Sequence, residues 1–136
     1  MRLSGLSIEM STLVVAIGLG FIQLVLAAQL ANAQRGLRWA ASARDANVPP
    51  LTGAAGRAAR AFSNFLETFA FFAASVLAAE VTGHHNHLTQ WGAELYVLAR
   101  VVYVPLYLAG IPLVRSLAWN VAAAGIFMLM AGIVWP

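Results

Sequence analysis

Two runs of polar residues in this apolar chain have the spacing of helix faces. Arg57, Arg60, Asn64 and Glu67 follow at intervals of three, four and three residues. Tyr96, Arg100, Tyr103 and Tyr107 follow at four, three and four. Such spacing gathers each set on one side of a helix. Guanidinium and phenol groups held side by side are hydrogen-bond donors, so the two faces together suit an anionic ligand. Glu67 and Arg100 have opposite charges and suit a buried ion pair, whose plainest role is to fix how two helices pack.

The elements that carry these faces follow from composition. The chain has 136 residues, 61% of them hydrophobic and only 10% charged. A soluble domain is about a quarter charged. A core of this size cannot hide so much apolar surface, so part of the solvent must be lipid. A single all-α domain over residues 1–136 is expected, with four membrane spans of about 20 residues each. They are 11–31, uncharged; 61–79, with Glu67 alone; 93–114, with Glu94 near one end and Arg100 and Pro105 inside; and 116–136, uncharged. The first is too long for the apolar part of a secretory signal peptide. Without cysteine there are no disulfides, thiolate metal sites or cysteine nucleophiles. The net charge of +3 comes without a basic stripe, which excludes a nucleic-acid partner.

The connections set an orientation. All eight basic residues are arginine. The first loop, 32–57, holds Arg35, Arg38, Arg44 and Arg57, with Pro49, Pro50 and Gly53 as helix breakers. The second, 82–92, holds neither Lys nor Arg; the short third loop carries Arg115, and the tails hold only Arg2. An excess of arginine marks cytoplasmic loops, so the first and third loops face the cytoplasm and both termini face the other side. Trp39, Trp91 and Trp135 fall near span ends, where indoles anchor at the interface. At ~1.5 Å per residue Glu67 lies ~15 Å past Arg57, near mid-membrane, with Arg100 at a similar depth. Asn64 then matches Tyr103, and Arg60 matches Tyr107, so that a polar cleft opens toward the cytoplasm.

The run Arg60-Ala61-Phe62-Ser63-Asn64-Phe65-Leu66-Glu67 resembles the R-A-x-x-N-x-x-E signature of the MAPEG family, membrane-associated proteins in eicosanoid and glutathione metabolism. Residues 99–107, from Ala99 through Arg100 and Tyr103 to Tyr107, are similar to that family's A-R-x-x-Y-x-x-x-Y pattern on its third helix. The resemblance covers essentially the whole chain, and both motifs occur in order on the expected helices. It implies a left-handed four-helix bundle assembling as a homotrimer, like small bacterial-type members in the inner (plasma) membrane. Glutathione, where used as co-substrate, sits between subunits and opens toward the cytoplasm.

By position, the resemblance assigns Arg60, Asn64 and Glu67 to glutathione contact or site shaping, and Tyr103 and Tyr107 to holding the peptide. Arg100 matches the family arginine on the third helix. Arg115 is the candidate near the third loop for stabilising the thiolate, with Arg100 as a second. Arg35 or Arg38 would reach a neighbouring subunit's ligand. The implied activity is a glutathione transferase or peroxidase acting on lipophilic electrophiles. Thr68 departs from the pattern, since several glutathione-using members have tyrosine there, and Phe62 stands where some have a polar residue.

Other signals read as structural. His84, His85 and His87 lie in a short external loop with no matched acidic partner, and their spacing fits no standard zinc pattern. Glu9, Glu80 and Glu94 sit at span ends and are expected to be solvated. Gly18, Gly20, Ala118, Ala122 and Gly125 offer small surfaces for close helix contact. Gln23 and Asn120 are placed to bond across helices. Two rival functions stand beside the enzyme: a non-catalytic trimeric membrane scaffold or lipid-binding protein of the same fold, and a small proton-coupled drug exporter. The exporter would need a coupling glutamate on its first helix, where Glu9 lies at the very edge.

Overall fold

A computed structural model describes residues 3–43, 45 and 47–135. The expectations for Arg2 and Arg44 lie outside the described residues. Five helices follow one another: α1 (Ile8–Arg35), the short α2 (Leu37–Ala40), α3 (Gly53–Thr82), α4 (His87–Ala109) and α5 (Pro112–Val134). The four long helices have the length and apolar composition to cross a membrane. At ~1.5 Å per residue each exceeds the ~30 Å hydrocarbon core.

Local sequence explains the boundaries. The Ser7 hydroxyl accepts from the Met10 amide and starts α1. Asn86 and Thr89 form a reciprocal capping box that starts α4. α3 begins at Gly53, ahead of its apolar window and without a side-chain cap, so Arg57 lies inside the helix with Arg60 rather than at the end of the first loop. The break between α4 and α5 falls earlier than expected: Gly110 takes φ 78°, a left-handed conformation suited to glycine, and Pro112 opens α5. Arg115 therefore sits on the first turn of α5, not in the third loop. Pro105 is accommodated inside α4.

The helices run up and down in alternation. α4 packs most closely on α5 and α1 on α3, while α1 and α5 lie diagonally apart. The α4–α5 seam is tight because two glycines face each other: a Cβ on Gly92 would stand 2.6 Å from the Gly125 carbonyl, and one on Gly125 would stand 2.7 Å from the Gly92 carbonyl. Gly20 likewise receives the Phe65 ring against α1. Gly18 makes no close helix contact within the chain, since a Cβ there would meet nothing within 4 Å. The bundle centre is filled by Leu13, Ala16, Val76, Ala122, Leu129 and the stacked rings of Phe72 and Tyr96, whose centroids are 4.0 Å apart. Large apolar side chains such as Phe21, Phe71, Leu98 and Phe127 point outward. A surface of this kind suits acyl chains.

Two polar expectations change. The Gln23 amide donates to Leu19 O and the Asn120 amide to Ser116 O, each within its own helix, so neither bonds across helices. Glu9 is fully buried rather than solvated.

Candidate functional site

At the end of the bundle where α3 and α5 begin and α4 finishes, a pocket of about 280 Å³ opens between these three helices. Asn64 lines it from α3, Tyr103 and Tyr107 from α4, and Arg115, Ser116, Trp119 and Asn120 from α5. Position follows from helix period: Tyr103 and Tyr107 are one turn apart, as are Arg115 and Trp119. The Arg115 guanidinium lies over the Tyr107 ring at 4.6 Å, and the two tyrosine rings are 5.4 Å apart. Arg115 is half-buried, so its donors remain open to a ligand.

Behind the pocket stands Arg100, only 1% exposed. Its Nη1 donates to Asn64 Oδ1 at 2.9 Å, and its Nη2 donates to Thr68 Oγ1. Thr68 Oγ1 also lies 3.2 Å from the Tyr96 hydroxyl. Tyr103 covers the guanidinium from one side, with the ring centroid 5.1 Å away. A buried charge must be hydrogen-bonded to persist at such depth. Here neutral oxygens and ring faces do that work.

The expected ion pair with Glu67 is not formed. Glu67 is exposed, and the Arg100 guanidinium bonds to Asn64 and Thr68 instead. Among the described residues no carboxylate comes within ion-pair distance of the guanidinium. The physical reason is angular. Asn64 and Thr68 are four residues apart and share a face, and Glu67, one position before Thr68, is rotated off it. Thr68 thus takes the place that the sequence assigned to Glu67. Its signal was available in the Asn64–Thr68 spacing.

The remaining α3 residues divide likewise. Arg57 is half-buried, and its Nε donates to Leu108 O at 2.8 Å, closing the end of α4. Arg60 is exposed and lies back beside Gly56, outside the pocket lining. Arg38 on α2 is exposed too, while Arg35 stacks on Trp39 at 4.3 Å. The pocket therefore unites Asn64, Tyr103, Tyr107 and Arg115, with Arg100 behind them, and leaves Arg38, Arg60 and Glu67 on the outer surface. Ser116, Trp119 and Asn120 were not foreseen as site residues. Only the 3.6-residue period forward from Arg115 could have pointed to Trp119.

A second, apolar groove of about 360 Å³ runs between α3 and α5. Thr68, Phe71, Ile126 and Phe127 line it, and Trp119 forms a wall of both groove and pocket. The arrangement sets donors for an anion beside a trough open to lipid.

The histidine loop also differs from expectation. His85 Nδ1 lies 3.3 Å from Glu9 Oε1, and Nε2 lies 3.8 Å from Glu80 Oε2. The loop has acidic partners after all.

No curated protein and no solved structure matches the chain. The model of the MAPEG family matches residues 12–135. Together with four apolar helices of spanning length, that match over nearly the whole chain makes this an integral membrane helical bundle, and the chain belongs to the MAPEG family.

Proposed function

We propose that the protein is a membrane-embedded glutathione-dependent transferase or peroxidase that acts on lipophilic electrophiles. The observation that carries this reading is the pocket itself. It combines an accessible arginine, two tyrosines and an asparagine with a buried guanidinium and adjoins an apolar groove.

Glutathione has two carboxylates, an ammonium and a thiol. Arg115 supplies a planar fork for a carboxylate or a cation beside the sulfur. A cation close to a thiol favours the thiolate, which is the nucleophile. Arg115 is the better placed of the two arginines, because it lines the pocket while Arg100 is locked behind Asn64. Arg100 acts as a fixed positive charge that orients the Asn64 carboxamide. In the transferase reaction the thiol releases its proton to water, the sulfur attacks an electrophilic carbon and a C–S bond forms. The displaced group leaves with the electron pair of the broken bond. The electrophile enters along the α3–α5 groove, tail toward Phe127 and reactive end toward Trp119.

The pocket is small and open, at the lower edge of the range for ligand sites. A homotrimer would complete it, bringing Arg38 of a neighbouring copy, with Arg60 and Glu67, toward bound peptide. In the inner membrane, with the arginine-rich loops on the cytoplasmic side, the pocket faces cytoplasmic glutathione and both termini face outward.

Calorimetric titration of the purified protein with glutathione tests this reading, with Arg115→Ala and Tyr107→Phe beside wild type. Saturable binding that weakens in the Arg115 variant supports it. Flat traces for all three proteins overturn it. The apolar groove favours one second reading, a lipid-binding trimer without catalysis, which predicts those flat traces together with retained acyl chains on purification.

A further inference from the structure

At the bundle end opposite the pocket, four elements meet around one imidazole. His85 stands in the turn between α3 and α4, with its side chain 32% exposed. Nδ1 faces Glu9 of α1, and Nε2 faces Glu80 at the end of α3. Glu9 is wholly buried, and its Oε1 accepts from the Thr89 hydroxyl of α4, while Oε2 has no partner. Glu80 accepts from the Ser7 hydroxyl at 2.7 Å, the same hydroxyl that caps α1. The turn is pinned to α5 by two further bonds: His84 Nδ1 donates to Ile133 O at 2.9 Å, and Asn86 Nδ2 donates to Gly132 O at 2.7 Å.

The geometry makes a demand on the proton. A neutral imidazole has one N–H and one lone pair. With a carboxylate at each ring nitrogen, the neutral ring satisfies one and turns a lone pair on the other. Only the imidazolium turns an N–H toward both and carries the charge that pairs with them. Among the described residues, the other charged or titratable groups nearby do not supply an alternative. α5 presents backbone carbonyls alone, His84 is committed to one of them, and His87 is exposed at the start of α4. A chelated metal is disfavoured because the two ring nitrogens point to opposite sides, and among the described residues no three His, Asp or Glu converge on one point.

We propose that Glu9, His85 and Glu80 form a proton-operated latch that ties the ends of α1, α3 and α4 together and loosens when His85 loses its proton. The sign follows from the charges. The ion pairs are complete while the imidazole is protonated, so the stability they contribute is present on the acid side of its titration and is lost as the ring gives up its proton. The latch is independent of glutathione chemistry and stands or falls without it.

Thermal unfolding of the full chain in lipid nanodiscs at pH 5.5 and pH 8.0 tests it, together with hydrogen exchange of the amides of residues 83–89 corrected for intrinsic rate. Wild type is expected to lose on the order of 4 °C in Tm between the two pH values and to lose protection in that segment. H85Q and E9Q should flatten both responses, and Gln at position 9 keeps an acceptor for Thr89. H87Q, on the exposed ring, should keep the wild-type response. A flat wild type, or an undiminished response in H85Q or E9Q, overturns the proposal. Should H85Q fail to fold, E9Q and wild-type exchange still decide the matter.

Discussion

Arg100 Nη1 donates to Asn64 Oδ1 at 2.9 Å, joining α4 to α3 where opposite charges had suggested a bond to Glu67. The guanidinium is held by neutral acceptors, Asn64 and Thr68, so its stability depends on oxygen atoms rather than on a counter-charge. Thr68→Val keeps the side-chain shape and leaves an Nη2–H and the Tyr96 hydroxyl without that oxygen. The expected loss is about 1–3 kcal/mol of unfolding free energy, the cost of orphaning a buried donor. Glu67→Gln, on the exposed face, should change stability by less than about 0.5 kcal/mol. Denaturant titration in mixed micelles measures both. A larger loss for Glu67→Gln would restore the ion pair.

The α4–α5 seam gives a sharper steric prediction. A methyl on Gly125 meets backbone atoms of α4, the Gly92 carbonyl and the Tyr96 amide, which cannot swing aside as a flexible side chain can. Gly125→Ala should cost about 1–3 kcal/mol or more through forced separation of the helices. Gly18→Ala meets nothing within 4 Å and should be neutral or gain about 0.5–1 kcal/mol from better helix propensity. The pair of variants, unfolded side by side, separates packing from propensity.

The bundle was legible in the sequence because membrane spans announce themselves by length and apolarity, and because polar residues at helical spacing had to face protein. Asn64, Arg100, Tyr103 and Tyr107 obey that logic. Helix ends were read less well: Ser7, the Asn86–Thr89 box and Gly110 act through local hydrogen bonds and backbone angles that no hydropathy window senses, and Arg115 moved onto a helix as a result. Glu67 and Glu9 failed in opposite directions. Hydropathy places a charge in an apolar run inward and a charge at a span end in water. The finer angle around α3 leaves Glu67 outside, and the partner Thr89, 80 residues along the chain, draws Glu9 inside. Contacts between distant segments are set by packing, not by spacing.

Within the pocket the two arginines should separate by function. Arg115 touches ligand space, so Arg115→Ala should weaken glutathione binding by about tenfold to a hundredfold, equivalent to losing a charge-assisted bond of about 1.5–3 kcal/mol. Arg100→Lys keeps a positive charge and loses the planar fork that holds Asn64 and Thr68. It should lower unfolding stability more than it alters affinity. Titration and unfolding on the same preparations check the separation, and the reverse order would assign Arg100 to the ligand.

The groove between α3 and α5 makes a prediction about chain length. Phe127 lines the groove but not the pocket, and the residue is 71% exposed. If an acyl tail lies there, Phe127→Ala removes apolar contact with the tail and leaves glutathione untouched. Loss of roughly 1.5 kcal/mol of burial corresponds to about a tenfold rise in KM for a long-chain electrophile. A short, water-soluble electrophile never reaches Phe127, so its KM should not change. Steady-state kinetics with the two electrophiles at saturating glutathione distinguishes the cases. Equal effects on both would mean that Phe127 acts through the fold, and no effect on either would place the tail elsewhere on the bundle surface.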